Sequence, residues 1–379
     1  MKKILIIAGE ASGDLHASNL VREVARLDPS LSFYGVGSSR MSEAGVRLLA
    51  DASSISVVGA TEVLAHIRDI YGVYARLKAF LKEERPALLI LVDFPDFNIM
   101  LGKAAKRLGI PVLYYISPQV WAWRKGRVQT IAGLVKSMIV VFPFEVDIYK
   151  KAGVDVRYVG HPLTDVVRSE LGRGDAGRAL GLDPHKRTVA LLPGSRRKEI
   201  ANLLPDMLGA AGILRDRFKD LQFVLPVAHT LSKDILSGHI DGCGLPVRLV
   251  EGRVYDALRA SDAAIVASGT ATLETGLMAV PMVIVYRMSR LSFMIAKKII
   301  HVPHVGLVNI VAGKRLVPEL LQDDVTPKNI ADSIAPVLAD EEEHARIKGE
   351  LLKVRAVLGD AGASERAAHV VIEILGRMS

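Results

Sequence analysis

The first fourteen residues constrain the fold of this chain more than any other segment. The apolar run 4–8 (ILIIA) ends at Gly9, and residues 9–14 (GEASGD) lead into a segment with helical periodicity. This order predicts a strand that enters a helix through a turn of small residues. Amide groups at such a helix start have no partner within the helix, and they attract phosphate or polar ligands. Because the spacing is not GxGxxG and Glu10 and Asp14 are acidic, the turn is predicted to face a ligand without being typical of a dinucleotide site.

Apolar runs of strand length recur along the chain with helix-period segments between them. This alternation is typical of parallel sheets that are covered on both faces. A first series of strands is predicted over residues 3–8, 31–36, 87–92, 111–116, 137–142 and 156–159. A second series is predicted over residues 188–192, 221–227, 247–250, 263–267 and 282–286. The two series predict an α/β protein with two parallel sheets.

The polar, glycine-containing stretch 168–185 is the predicted crossing between two domains. We place the first domain at residues 1–165 and the second at 166–345. Residues 346–379 are predicted to form helices that pack across or onto the first domain and brace the two domains together. Ligands of open parallel sheets bind beyond the carboxyl ends of the strands, so two such domains facing each other would enclose one deep cleft.

The overall composition limits the classes of partner that the chain is expected to bind. Its single cysteine, Cys243, excludes an intramolecular disulfide and a multi-cysteine zinc site, and it indicates a reducing compartment. The formal net charge of +8 favours phosphates, an anionic membrane face or nucleic acid as partners. Aromatic residues make up only 5% of the chain without a basic-aromatic strip, so nucleic acid is not expected. No window of about 20 residues lacks charge, and the start of the chain is interpreted as the first strand of a cytoplasmic protein.

Residues 93–98 (DFPDFN) follow the predicted buried strand 87–92. Asp96 is placed where it could accept a proton from an attacking hydroxyl group, and Phe94 and Phe97 would raise its pKa by desolvation. Alternatively, Asp96 caps the helix that begins near Phe97, where the helix dipole would lower its pKa. Spacing alone leaves both interpretations open.

Two turns in the second half resemble anion sites. Residues 191–198 (LLPGSRRK) combine a Gly-Ser turn with three cations after a strand, which suits a diphosphate, although a solvated helix start has the same composition. Residues 268–274 (SGTATLE) form a second small-residue turn at a helix start. There, the Glu274 carboxylate could accept hydrogen bonds from both hydroxyl groups of a ribose. Alternatively, it could cap the backbone amides around Thr270 and Ala271.

Two further segments suit a lipid surface. Residues 117–127 contain both tryptophans of the chain and three basic residues, which fits lipid headgroups or sugar rings as well as a helix start packed on the sheet. Residues 286–300 intersperse apolar side chains with four cations. This pattern is typical of a helix lying on an anionic bilayer, and also of an ordinary surface helix.

Seven motifs in this order resemble the lipid-A-disaccharide synthases, which are membrane-associated glycosyltransferases with the GT-B architecture. They are residues 9–14 (GEASGD), 95–98 (PDFN), 117–123 (SPQVWAW), 142–145 (FPFE), 160–162 (GHP), 192–196 (LPGSR) and 268–274 (SGTATLE). Their spacing covers nearly the whole chain. The resemblance implies two Rossmann-like domains with parallel sheets facing across a cleft.

The resemblance also implies an inverting hexosyltransferase of lipid A biosynthesis. Such an enzyme moves 2,3-diacylglucosamine from its UDP derivative to the 6-hydroxyl of 2,3-diacylglucosamine 1-phosphate, and it releases UDP. The role of general base is carried over to Asp96, and neither a metal nor a cofactor is expected. The residues implied to bind UDP are Gly194, Ser195, Arg196, Ser268, Gly269, Thr270, Glu274, Asn309 and Gln322. Those implied to bind the acceptor are Gly9, Glu10, Ser12, Gly13, His16 and Trp121, although His16 could instead only cap or pack on the first helix.

The expected location is the cytoplasmic side of the inner membrane, with peripheral attachment to its anionic surface and a homodimer as a further expected assembly. Three other functions stay open at this point. One is a GT-B enzyme acting on another UDP-N-acetylhexosamine, either an epimerase or a transferase with a soluble acceptor. Another is an NAD-dependent Rossmann oxidoreductase, against which the missing GxGxxG and the repeated anion turn both count. The third is a non-catalytic binding protein of two domains.

Overall fold

The computed structural model describes residues 2–52, 67–119, 126–228, 231–241, 243–289, 293–294 and 303–376. The chain divides into two compact units. The first contains residues 1–165 and 360–379, and the second contains residues 166–359. Each unit is built around one parallel sheet.

The sheet of the first unit has seven parallel strands in the order β3-β2-β1-β4-β5-β6-β7. Its central strands are fully buried runs of Ile, Leu and Val, as expected for a sheet covered on both faces. The strands are β1 (Lys3–Ala8), β2 (Ser32–Gly37), β3 (Arg47–Asp51), β4 (Leu88–Val92), β5 (Val112–Tyr115), β6 (Ser137–Val140) and β7 (Val156–Tyr158).

Successive side chains of each strand point to opposite faces of the sheet, so a buried apolar strand presents apolar side chains on both faces. Helices cover both of these faces. Leu5 and Ile7 belong to one apolar cluster, whereas Ile4 and Ile6 belong to another, to which the last helix of the chain contributes Val371. The helices of the unit are α1 (Ala11–Leu27), α2 (Ser39–Glu43), α3 (Ile67–Glu84), α4 (Pro95–Arg107), α5 (Gly126–Ala132), α6 (Pro143–Lys151), α7 (Leu163–Val166), whose last residue falls in the second unit, and α16 (Ala363–Gly376).

The sheet of the second unit has six parallel strands in the order β10-β9-β8-β11-β12-β13. They are β8 (Arg187–Leu192), β9 (Leu221–Val227), β10 (Val247–Glu251), β11 (Ala263–Ala267), β12 (Met282–Tyr286) and β13 (Glu319–Leu321). The helices are α8 (Arg173–Ala179), α9 (Arg197–Arg217), α10 (Lys233–Ile240), α11 (Val254–Ala260), α12 (Thr270–Leu277), α13 (Leu307–Ala312), α14 (Pro327–Ala339) and α15 (Glu341–Val357).

Every predicted strand is present, with its ends shifted by at most two residues. The patterns did not predict β3 and β13, which are short edge strands without a fully buried run. The predicted boundary after residue 345 lies inside α15. That helix runs unbroken to Val357 and contacts α12, α13 and α14 of the second unit, whereas α16 contacts α1 of the first unit.

Candidate functional site

The strand order of the first sheet reverses between β1 and β4. In open parallel sheets, ligands bind beyond the carboxyl ends of the strands at such a switch point, because the two flanking turns diverge there. The turn after β1 contains Gly9 and Glu10, and the turn after β4 contains Asp93 and Phe94. Of the sequence-predicted acceptor residues, Gly9 and Glu10 therefore lie in one of the two turns that flank this switch point, and Asp96 follows the other turn at the start of α4.

These two turns interlock. A Cβ atom added to Gly9 would lie 2.5 Å from the ring of Phe94, so only glycine allows this close approach. Asp93 and Phe94 both adopt the left-handed backbone region, each with φ of +44°, which is costly for residues other than glycine. The Asp93 carbonyl accepts hydrogen bonds from the hydroxyl of Tyr114 at 2.6 Å and from the side-chain amide of Asn98 at 2.8 Å. These buried donors hold the turn in its unusual conformation.

Asp93 is the most strongly perturbed carboxyl group at this edge. Burial, followed by the negative charge of Glu10, raises the pKa of Asp93 to about 7. The switch point thus carries two neighbouring carboxyl groups, one of which titrates near neutral pH. Asp93 was not among the predicted site residues, although an acidic residue directly after a fully buried strand is a recognisable signal.

Asp96 lies in the first turn of α4, and its side chain is 72% exposed. It forms an ion pair with Arg127 and does not act as the N-cap, because Phe94 occupies that position. The expected desolvation by Phe94 and Phe97 is wrong for Asp96. Phe97 belongs to the apolar core of the unit, and the carboxyl group that burial affects is that of Asp93.

The predicted acceptor residues on α1 differ in exposure. Ser12 is half-buried and Gly13 is buried within the first turn of the helix. His16 is 5% exposed, its ring lies 6.0 Å from that of His161, and burial lowers its pKa to about 4. The imidazole of His16 therefore packs inside the unit as a neutral group. Trp121, with the rest of residues 120–125, lies outside the described residues.

The second sheet has its switch point between β8 and β11. In the turn after β8, Gly194 has a φ of +110°, and Ser195 and Arg196 are exposed. The Ser195 amide donates to the carboxylate of Glu199 at 3.1 Å, and the Arg196 guanidinium contacts the other oxygen of that carboxylate at 3.0 Å. The turn thus already presents an amide and a guanidinium to one anionic group.

The turn after β11 flanks the same switch point. The Ser268 hydroxyl donates to the Val305 carbonyl at 3.2 Å, Gly269 is exposed, and no side chain caps α12. The Glu274 carboxylate accepts a hydrogen bond from the Tyr255 hydroxyl at 2.9 Å. Tyr255 lies on α11, so a side chain of a second helix holds the Glu274 carboxylate, and the capping role of Glu274 stays a prediction.

Asn309 does not reach the surface. It is fully buried, its oxygen accepts from the amides of Leu316 and Val317, and its nitrogen donates to Val317 and Glu319. Glu319 in turn accepts from the amides of Val305 and Gly306. The predicted contact between Asn309 and the nucleotide is therefore replaced by a structural role, because every hydrogen-bonding group of its side chain is used internally.

Gln322 directly follows β13, so it lies at the same edge of the second sheet as the turns after β8 and β11. Its φ is +53°. Its side-chain oxygen accepts from the Met288 amide at 2.9 Å, and among the described residues its side-chain nitrogen is buried without a hydrogen-bond partner. A donor in that position is suited to a ligand oxygen. The predicted UDP-binding residues other than Asn309 thus lie in the turns after β8, β11 and β13, at one sheet edge, or in α12, which follows the turn after β11 and contains Glu274.

The predicted membrane segment 286–300 is described only at residues 286–289 and 293–294. Within it, the Arg287 guanidinium contacts the Asp206 carboxylate at 2.6 Å and donates to the Asn202 carbonyl at 2.8 Å, so this cation is used inside the second unit. Across the described parts of the chain, no helix has the length and apolar character needed to cross a bilayer.

Comparison with known proteins links these observations to one family. The family model described as lipid-A-disaccharide synthetase matches residues 4–373. Lipid-A-disaccharide synthase of Geobacter metallireducens is 52% identical over 376 residues, covering 99% of this chain and 98% of its relative. The enzyme of the same name from Nitrosococcus oceani is 45% identical, with 98% and 96% covered.

Solved structures share the fold at low sequence identity. The S. aureus MnaA-UDP co-structure superimposes with a TM-score of 0.68 at 15% identity, covering 99% of this chain and 97% of that one. UDP-GlcNAc 2-epimerase from Neisseria meningitidis bound to UDP-GlcNAc gives 0.65 at 12% identity, with 98% and 100% covered. CalG4, the calicheamicin glycosyltransferase, gives 0.64 at 16% identity, with 100% and 99% covered. The fold is that of GT-B glycosyltransferases and epimerases.

Proposed function

The chain belongs to the lipid-A-disaccharide synthase family and is a hexosyltransferase of lipid A biosynthesis, and from this premise we propose how its two sheet edges divide the reaction. A UDP-sugar donor binds at the edge of the second sheet. A lipid acceptor binds at the edge of the first. The proposed donor is UDP-2,3-diacylglucosamine, and the proposed acceptor is 2,3-diacylglucosamine 1-phosphate.

The donor site is supported by the cationic turn after β8. Ser195 and Arg196 already hold a carboxylate between an amide and a guanidinium, and these are the donors that a diphosphate uses. The helix start at Gly269 and Thr270 offers further amides, and Glu274 is a partner for ribose hydroxyl groups. The buried nitrogen of Gln322 supplies one more donor. Two solved structures of the same fold contain UDP or UDP-GlcNAc.

The acceptor edge supplies the proton acceptor. The oxygen of the acceptor 6-hydroxyl attacks the anomeric carbon of the donor sugar, the bond from that carbon to the diphosphate oxygen breaks, and the hydroxyl proton passes to the Asp96 carboxylate. Attack from the side opposite UDP inverts an α donor into a β product. The Arg196 guanidinium and the amides of the second edge stabilise the negative charge that develops on the leaving UDP. Arg127 forms an ion pair with Asp96, so a positive charge lies beside that carboxylate before the transfer.

The Gly9–Glu10 turn and the Asp93 carboxyl group line the remainder of the acceptor edge. When it is protonated, the Asp93 carboxyl group would present both an acceptor and a donor to sugar hydroxyl groups. Peripheral attachment to an anionic inner-membrane surface fits an acylated acceptor and the net charge of +8. The homodimer stays a prediction.

The observation that carries this proposal is the anion-holding pair of Ser195 and Arg196 at the switch point of the second sheet. The test is a product assay in which purified protein receives the acylated UDP-glucosamine with and without the acylated monosaccharide phosphate. We expect UDP release only when both are present. Release of UDP without the acceptor would instead identify a hydrolase, and thermal stabilisation by NAD but not by UDP would refute the donor site.

A further inference from the structure

The Glu199 carboxylate sits on the two groups that the proposed function assigns to the diphosphate. One of its oxygens accepts from the Ser195 amide at 3.1 Å, and the other contacts the Arg196 guanidinium at 3.0 Å. Both oxygens are therefore engaged, each by a different donor. A phosphate group would approach the same amide and guanidinium with two of its own oxygens.

The turn is shaped around this carboxylate. A Cβ atom added to Gly194 would lie 3.0 Å from the Cβ of Glu199, 3.1 Å from its carboxyl carbon and closer still to one carboxylate oxygen. Gly194 also has a φ of +110°, which residues with a side chain rarely adopt. The space for Glu199 thus exists because residue 194 is glycine.

The charges of Glu199 and Arg196 also act on Tyr286. Burial raises the pKa of Tyr286, at the end of β12, with a further increase from Glu199 and a smaller opposing effect of Arg196. Glu199 and Arg196 are thus close to the ends of two strands of the sheet. This placement distinguishes the pair from the ion pair of Glu343 and Arg346, which lies on an exposed face of α15 in the same unit.

We propose that Glu199 competes with the donor diphosphate for Ser195 and Arg196, so that a ligand must displace this carboxylate before its phosphates can bind. The inference rests on the proposed donor site. Two anionic groups on the same donors repel each other, so simultaneous binding is disfavoured. A nucleotide offsets the lost Glu199 contacts through its base and ribose, whereas inorganic pyrophosphate has no such contacts. Glu199 thereby lowers the affinity for both ligands, and only the nucleotide, with its additional contacts, still binds measurably to the wild type.

The test compares wild type, Glu199→Gln and Glu199→Ala by isothermal titration calorimetry with UDP, uridine and inorganic pyrophosphate. Glu343→Gln is the matched control, since it removes a carboxylate with the same spacing to an arginine in the same unit. We expect UDP to bind about tenfold tighter to both Glu199 variants, because one charge-assisted competitor is removed. Uridine should bind all four proteins equally, and pyrophosphate should bind measurably only to the Glu199 variants.

Two results would overturn the inference. If both Glu199 variants bind UDP as wild type does or more weakly while uridine binding persists, then Glu199 only braces the turn, as acidic residues at a helix start commonly do. A thermal melt of each variant shows whether such a loss reflects unfolding, and the Gln and Ala variants check each other. If UDP binds to none of the proteins, the proposed donor site fails together with the inference, whereas failure of the inference alone leaves UDP binding intact.

Discussion

The two sheets use the same topology to present opposite charges. In each, the strand order reverses between the first strand of the unit and a later one, and turns after those two strands flank the reversal. The first switch point carries the carboxyl groups of Glu10, Asp93 and Asp96, whereas the second carries Ser195 and Arg196. Topology therefore determines where a site forms, and the few turn residues determine its chemistry.

The two switch points also differ in how they treat an acidic side chain. At the first, burial and a neighbouring acid push the pKa of Asp93 upward. At the second, the acid Glu199 is balanced by a guanidinium and an amide. One edge is thus suited to holding or accepting a proton and the other to holding an anion, which are the two demands of a transfer from a nucleotide sugar to a hydroxyl group.

The largest expected effect separates the two edges kinetically. Asp96→Asn should lower kcat by about a thousandfold, because a general base contributes roughly that factor, while the Kd for UDP stays at the wild-type value. Steady-state kinetics and calorimetry measure the two quantities, with Glu83→Gln on the exposed side of α3 as the control. Normal turnover in Asp96→Asn would remove this residue from the role of base.

The next effect tests whether proton chemistry belongs to the first edge. Asp93 has a pKa of about 7 in the folded protein and an ordinary pKa of 3.8 when it is solvated, so between these values the folded protein holds a proton that the unfolded chain has released. This group therefore lowers the free energy of unfolding as pH rises from about 4 to 7, by at most about 4 kcal/mol.

Asp93→Asn should remove that decline, and urea unfolding across pH 4–8 measures it. His16, whose pKa is lowered to about 4, has the opposite effect on the free energy of unfolding. Its stabilising contribution is present above pH 6.5 and is lost as pH falls below that value, in both the variant and the wild type. The variant should therefore become more stable relative to wild type as pH rises. A constant difference between the two proteins over this range would contradict the raised pKa of Asp93.

A smaller effect is expected at the second edge. Arg196→Ala removes a charge-assisted hydrogen bond to the diphosphate, so UDP binding and kcat/KM should both fall by about ten- to a hundredfold. Arg346→Ala is the control for loss of an arginine that pairs with a glutamate on an exposed helix. If only kcat changes in Arg196→Ala, the two edges do not divide the reaction as proposed.

The smallest expected effect concerns Tyr255, whose hydroxyl holds the Glu274 carboxylate beside the proposed donor site. Tyr255→Phe deletes the hydroxyl that donates to Glu274, which should cost about threefold to tenfold in UDP affinity. Calorimetry with UDP measures this loss, and Tyr71→Phe, at an exposed tyrosine of the first unit, is the control. Equal affinities in both variants would show that Glu274 needs no positioning partner.

Periodicity predicted the strands well because each buried strand is a local run of apolar residues, and such runs are visible without knowing their neighbours. The turns after β1, β4, β8 and β11 were predicted for the same reason, since each follows such a run directly. Side-chain roles were predicted less well. Asn309 was expected at the nucleotide but holds two backbone segments together, and no local pattern distinguishes those uses.

The amino-acid sequence by itself determined two parallel sheets, the turns that follow their strands, and the charges available in each turn. Only the tertiary structure decided that Asp93 rather than Asp96 is desolvated, that His16 packs against His161, and that Glu199 occupies the donors of Ser195 and Arg196. The physical reason is that a strand follows from the apolar residues within it. Burial and electrostatic environment instead depend on turns that are distant in sequence and meet only where parallel strands end side by side.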